Sequence, residues 1–273
     1  MFGEFLDHVR KTSPLIHCIT NYVTVNDVAN MVLAAGASPI MADDPKDAKD
    51  IVSICQGLTI NIGTLNERKL KAIFLAGEKA RELGMPILLD PVGVSASGFR
   101  KDAAVKILQE LKPTAIRANI SEIKALAKQA GSTKGVDAAA CDLTNPENLE
   151  QHIALIKEFS RSCESIVAVS GTIDIISDGT AVFLVKNGQG EMRSITGTGC
   201  QLSALMTSFL AANRNDYLNA AVAADIAMGL AGEIAWDYMQ PGDGNATYRN
   251  RIIDAVYNMN GAALDKGANY ESR

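Results

Sequence analysis

The chain is 273 residues long, 47% hydrophobic and 21% charged, with a formal net charge of −5; this is ordinary for one soluble globular unit, so a single domain over residues 1–273 is expected. The acidic balance leaves no basic stripe able to neutralise a phosphate backbone, which speaks against nucleic acid as a partner. The most apolar stretch, AAVAADIAMGLAGEIAW, is broken by Asp225 and Glu233, and the opening MFGEFLDHVRKTS lacks the apolar core of a signal peptide; no membrane partner and a cytoplasmic location are expected.

In chain order, short β-rich runs alternate with amphipathic helical stretches, the arrangement of a mostly parallel sheet with helices on both faces. Strands are predicted at PLIHCIT, SPIMA, LTINIG, PILLDPV, TAIRA and SIVAVSG, then at DIISD and TAVFLVK as an antiparallel pair. Helices are predicted between them over 25–35, 66–83, 101–111, 120–129 and 146–160. After Thr198 the segments 199–213, 219–237 and 250–259 all read as helices with no strand among them, a helical layer closing the fold. One long irregular segment, QAGSTKGVDAAACDLTNPEN, interrupts the alternation, and connections of that length are often functional.

The five cysteines, Cys18, Cys55, Cys141, Cys163 and Cys200, are odd in number and never paired as C-x-x-C, so neither a disulfide framework nor a zinc site is indicated. His8, His17 and His152 add no metal-ligand spacing. Ligands of open parallel sheets sit beyond the carboxyl ends of the strands. There the chain places Asp90 after ILL, Arg117 in TAIRA, Ser170 in AVSG, and Gly63 and Thr64 after TINI. The turn Thr196-Gly197-Thr198-Gly199-Cys200 then opens an apolar helix, and a helix start offers unpaired N–H donors to an anion. A carboxylate, a guanidinium, a hydroxyl and a glycine-rich helix start suit a nucleoside triphosphate with its divalent ion.

Each signal also has a plainer reading. Asp90 before Pro91 can serve a turn; Asn119 to Glu122 has the spacing of a capping box; Met41 can fill a core gap; Arg117 can be a surface charge and Ser170 a turn filler. The P-loop pattern is absent from the sequence, and the Gly-x-Gly turn comes too late in the chain for a dinucleotide fold.

The segments PLIHCITNYVTVNDVANMVLAAGASPIMADDPKD, LTINIGTL, PILLDPVGVSASGFR, RANISEI, AVSGTIDIISDG, TGTGCQLSAL and GLAGEIA, in this order, resemble the hydroxyethylthiazole kinase family. That resemblance implies an α/β three-layer ribokinase-like fold and transfer of a phosphoryl group from ATP, with Mg2+, to the primary alcohol of 4-methyl-5-(2-hydroxyethyl)thiazole in thiamine salvage. It implies thiazole contacts at Asn21, Met41 and Gly197, ATP contacts at Arg117 and Ser170, and metal-side carboxylates at Asp90 and Glu122. Cys200, preceded by Gly199, stands where many ribokinase-like enzymes carry an aspartate base, and a homotrimer with sites at subunit boundaries is implied as well. The chain has Ala118 where the family writes glycine, a substitution that matters if the position needs a positive φ. Read from its residues alone, Cys200 at a helix start has a thiol pKa lowered by the helix and raised by bound phosphate. Other classes stay open: a ribokinase-like kinase for another alcohol such as hydroxymethylpyrimidine, a cysteine-nucleophile hydrolase, or a nucleotide sensor without catalysis.

Overall fold

Strands that are apolar on consecutive residues have to be covered on both sides, and the first strand sets the pattern: in β1 (Leu15–Ile19) every residue after Leu15 is buried. The computed structural model describes residues 1–129, 144 and 147–273. Among them, β1, β2 (Ser38–Ile40), β3 (Gly57–Asn61), β4 (Ile87–Asp90), β5 (Ala115–Asn119) and β6 (Ile166–Ser170) pair in parallel. β7 (Asp174–Ser177), β8 (Val182–Val185) and β9 (Tyr270–Ser272) continue the same sheet antiparallel, in the order β2-β1-β3-β4-β5-β6-β7-β8-β9.

Two helical layers cover it. On one face lie α1 (Gly3–Thr12), α2 (Val25–Ala35), α8 (Thr198–Ala212), α9 (Tyr217–Asp237), α10 (Asn245–Asn258) and α11 (Gly261–Gly267). On the other lie α3 (Ala48–Ser53), α4 (Glu67–Glu82), α5 (Gly98–Leu111), α6 (Ile120–Gln129) and α7 (Leu149–Cys163). Side chains alternate between the faces with a period of two. Ile16, Leu88, Ala115 and Ala168 join the core on the α8 side, whereas Ile19, Leu58, Leu89, Ile116 and Val167 join the core on the α4 side.

Local chemistry explains several boundaries. Asn66 caps α4 by accepting from the Lys69 N–H, Ser97 caps α5 through the Arg100 N–H, and Gly36, at φ 92°, ends α2 in the left-handed region. Helix α9 is apolar all round because it is enclosed: 14 of its 21 residues are buried. By length and composition it is long and apolar enough to cross a bilayer, contrary to the reading of its sequence, yet it packs as a core helix between α8 and α10.

The structure departs from the predicted elements at several places. The carboxyl-terminal third is not purely helical: β9 pairs with β8, and the Arg273 N–H donates to the Val182 carbonyl at 2.8 Å. Its sequence, Tyr-Glu-Ser, has no apolar alternation; it is a strand because the β8 edge offers it a ladder. Helices α1, α3 and α11 and a 3₁₀ turn over Gly190–Ser194 were absent from the sequence reading. The segment QAGSTKGVDAAACDLTNPEN, Cys141 and the start of the helix predicted from Pro146 lie largely outside the described residues, and α7 begins at Leu149. Ala118 lies within β5 and is not among the residues with positive φ, so glycine is not required there.

Candidate active site

The period-two rule puts the polar residues at the strand ends on one side of the sheet. Asn61 shares the face of Thr59, whose hydroxyl meets Thr207 of α8 at 2.8 Å. Asp90 follows Leu88 and Arg117 follows Ala115 onto the same face, and Ser170 follows Ala168. Helix α8 starts over this row. Its N-cap, Gly197, has φ 87°, and a Cβ there would overlap the Thr24 methyl group. A Cβ at Gly199 would overlap the Arg117 guanidinium, so both glycines of the turn are explained by close approach. No side-chain cap closes this helix start, which leaves its first N–H groups available to a ligand.

A buried amide network joins the residues. The Asn21 side-chain N–H₂ donates to Asn61 Oδ1 at 3.1 Å and approaches Cys200 Sγ at 3.2 Å. Asn61 Nδ2 in turn donates to Asp90 Oδ2 at 2.8 Å and approaches the same sulfur at 3.3 Å. Ser203, one turn beyond Gly199, donates to Asp90 Oδ2 at 2.8 Å. Asn21 Oδ1 accepts from the Val23 and Thr24 N–H groups, fixing its own loop. That loop is braced from beneath by Lys69, whose buried ammonium donates to the Thr20 carbonyl at 2.7 Å and lies under the Tyr22 ring.

Burial dominates the titration of the site. Asp90 is wholly buried and its carboxyl is pushed up to about 6, chiefly by desolvation and further by Glu122, against the pull of Arg117, Ser203 and Asn61. Its Oδ1 is buried and has no hydrogen-bond partner among the described residues. The Cys200 thiol is raised, not lowered: loss of solvent outweighs every other influence, and the Asp90 charge adds to it. Of the influences read from the sequence, the lowering by the helix start does not prevail here. The hydrolase alternative also lacks its base, since His17 bonds the Ala42 carbonyl and His152 meets Thr144, while Cys200 faces two amides.

Glu122 is the capping-box residue its spacing suggested. Its Oε2 accepts from the Asn119 N–H at 2.9 Å and the Asn119 side chain accepts from the Glu122 N–H at 2.9 Å. It does more than cap, because Oε1 accepts from the Gly93 N–H at 2.9 Å and so ties down the loop that follows Asp90. Arg117 donates to the Ser170 hydroxyl, joining the two strand ends. Met41 lies half-buried at the carboxyl end of β2, beside the β1 end that carries Asn21, and Tyr22 and Asp43 link the two loops through a 2.8 Å hydrogen bond.

From Arg117, Ser170 and Gly199 a cleft of about 490 Å³ runs toward Met192, Leu202 and Met228. Asp174 and Asp225 also line it; burial pushes the Asp174 carboxyl up to about 6, and burial together with the Asp174 charge pushes Asp225 well above its ordinary value. A larger groove of about 800 Å³ follows the exposed side of α7, over Lys157, Glu158 and Arg161, away from the glycine turn. Asn61, Ser203, Thr24, Asp174 and Asp225 were not singled out for a site in the sequence. Alternation in TINI and the one-turn spacing from Gly199 could have pointed to Asn61 and Ser203.

A divalent ion finds a donor set that suits magnesium. Asp90 offers a partnerless buried oxygen, and Glu122 retains lone pairs beyond the two backbone donors it already accepts. Magnesium keeps most of its water and can be held by one or two carboxylates, the number offered here; among the described residues there is no group of three or more His, Cys, Asp or Glu that could hold a metal.

The profile of the hydroxyethylthiazole kinase family matches residues 6–261. A hydroxyethylthiazole kinase from Clostridium acetobutylicum is 50% identical over 272 residues, covering the whole of both chains. The structure of a hydroxyethylthiazole kinase protein from Pyrococcus horikoshii OT3 superposes with a TM-score of 0.89 at 32% identity, over 100% of this chain and 98% of that one. A ribokinase-like superfamily protein from Enterococcus faecalis, 12% identical, shares the fold alone, with a TM-score of 0.64 over 93% of this chain and 87% of that one.

Proposed function

Since the chain belongs to the hydroxyethylthiazole kinase family, we propose that its cleft carries the γ-phosphoryl group of ATP to the primary alcohol of 4-methyl-5-(2-hydroxyethyl)thiazole, as a thiamine-salvage kinase. The observation that carries this reading is the uncapped start of α8 at Gly197–Cys200, set against Arg117 and the buried Asp90.

Phosphoryl transfer asks a protein mainly for alignment and for neutralisation of charge on the phosphate oxygens. The N–H groups of the first α8 turn supply donors, and one such donor is worth on the order of 3 kcal/mol of barrier in comparable enzymes. Arg117, its fork shared with Ser170, holds the donor phosphates, and the rest of the 490 Å³ cleft takes the nucleoside. Asp90 and Glu122 would hold Mg2+, which when bound would neutralise charge on the phosphates. Asn21, Met41 and Gly197 receive the thiazole. The Cys200 thiol, raised by burial, acts as a neutral neighbour of the attacking hydroxyl, not as an ionised base. A loose transition state needs little proton removal before the new P–O bond forms, so a neutral thiol suffices.

Tyr22 and Val23, next to Asn21, are 58% and 67% exposed. Apolar side chains at the rim of a small-molecule pocket support a site completed by a neighbouring copy, so we read the working form as a cytoplasmic homotrimer of single-domain subunits with sites at their boundaries. The test is direct: purified protein, MgATP and hydroxyethylthiazole, followed by phosphorus NMR. The expected result is a new phosphomonoester resonance with stoichiometric ADP. Turnover with hydroxymethylpyrimidine alone, or ADP release with no phosphorylated alcohol, would reject this substrate assignment.

A further inference from the structure

The GLAGEIA segment has no place in the chemistry above, yet its spacing is specific. Gly229, Gly232 and Glu233 are three and four residues apart, hence on one face of α9. Glycine inside a helix weakens it relative to alanine, so two on one face call for a packing reason. The structure supplies it. A Cβ at Gly229 would stand 2.7 Å from the Asn187 carbonyl, and a Cβ at Gly232 would overlap the Met192 sulfur. The missing side chains let the 187–194 segment lie directly on α9.

Glu233 then fastens that segment. Its Oε1 accepts from the Gly188 N–H at 2.7 Å and from Asn187 Nδ2 at 3.2 Å. Asn187 is 7% exposed and bonded on every side: Nδ2 also donates to the Gly267 carbonyl at 2.9 Å, and Oδ1 accepts from the Asn269 N–H at 2.8 Å. The segment so held is otherwise largely solvent-facing, with Gly188 at φ 136° and Gly188, Gly190, Glu191, Arg193 and Ser194 exposed. It forms one wall of the cleft, contributing Gln189, Met192 and Arg193, while Glu233 does not itself line that cleft.

We infer that Glu233 is a positioning residue: acting through Gly188 and Asn187 on the floor made by Gly229 and Gly232, it sets the wall of the cleft that receives the nucleoside half of the phosphoryl donor. This rests on the kinase reading above. Its signature is a split between substrates, because the wall stands away from the Asn21 and Met41 end of the site. Glu233→Ala removes the acceptor and raises KM for ATP by about ten-fold, while kcat and KM for the thiazole alcohol stay within about two-fold. Glu233→Gln keeps an amide oxygen for the Gly188 N–H and brings KM for ATP back to within about two-fold of the wild type.

Amide exchange in the wild-type chain without nucleotide reads the same contact independently of any variant that fails to fold. The Gly188 N–H is expected to exchange at least about ten-fold more slowly than an open loop amide. The inference is overturned if Gly188 exchanges at the open-loop rate, if Glu233→Ala leaves KM for ATP unmoved, or if it raises both KM values alike and lowers kcat. The two readings fail separately. A wild-type chain that phosphorylates no alcohol removes the kinase assignment and leaves the exchange result standing, whereas an active wild type with an unshifted KM in Glu233→Ala removes only the role of Glu233.

Discussion

Replacing Cys200 by alanine is expected to slow turnover by about ten-fold without abolishing it, since general-base removal costs 10²–10⁴ and a neutral neighbour costs less. An ordinary thiol titrates near 8.5, and burial beside Asp90 raises this one, so at neutral pH fewer than about one in ten is ionised. The fold should tolerate the change. Asn21 Nδ2 and Asn61 Nδ2 lose contacts of 3.2 and 3.3 Å to sulfur, but each keeps an oxygen acceptor, at 3.1 Å on Asn61 and 2.8 Å on Asp90. One N–H of each amide loses its weak sulfur acceptor while the other stays paired, so the cost is about 2–4 kcal/mol for the deleted buried atom and the two weak contacts together. Cys200→Asp presents a carboxylate to the same two amides and is expected to remain active, with a new acidic limb in its pH profile displaced upward by burial and by Asp90. Steady-state rates with MgATP, nucleotide binding and thermal unfolding on the three proteins check this. A folded, ATP-binding Cys200→Ala with no phosphorylation above background would show that the sulfur does proton-transfer work its environment should forbid.

Gly197→Ala forces a side chain into the left-handed region and onto Thr24; it should destabilise the fold by about 1–3 kcal/mol and cut kcat, both measurable on the same preparation, and an alanine variant with wild-type kcat would sink the close-approach argument. Arg117→Lys keeps the charge but loses the planar fork, so KM for ATP should rise by about ten-fold; an unchanged KM would mean that charge alone suffices. The raised carboxyls of Asp174 and Asp225 carry protons in the folded state that the unfolded chain gives up. Their stabilisation is complete below the ordinary carboxylate value and is lost as pH rises through about 6 for Asp174 and higher for its partner. Asp225→Asn, which cannot ionise, should therefore lose less melting temperature than the wild type between roughly pH 5 and pH 8, and parallel curves would contradict the raised titration of this pair.

Much of the architecture was readable because alternation and helical spacing are local. The helix predicted over 25–35 has the boundaries found in α2, and the strands through Val185 are all present. Signals created by a partner were not readable. Tyr270–Ser272 becomes a strand only because β8 has an open edge, and α3, six residues long with two of them buried, has too short a period to detect. In the site, Asp90 and Arg117 stood out by charge toward strand ends and Glu122 by its capping-box spacing, whereas Asn61 read as one polar residue in an apolar run. Its role depends on lying opposite Asp90 across β3 and β4.

By itself the amino-acid order determined the alternation of strand and helix, the cap at Glu122, the glycine turn before Cys200 and the G-x-x-G-E face of α9, because these follow from neighbours a few residues apart. Only the tertiary structure decided the raised titration of Cys200, Asp90, Asp174 and Asp225 and the hold of Glu233 on Asn187. Desolvation and charge depend on what distant segments bring within a few ångströms, and no linear spacing encodes that distance.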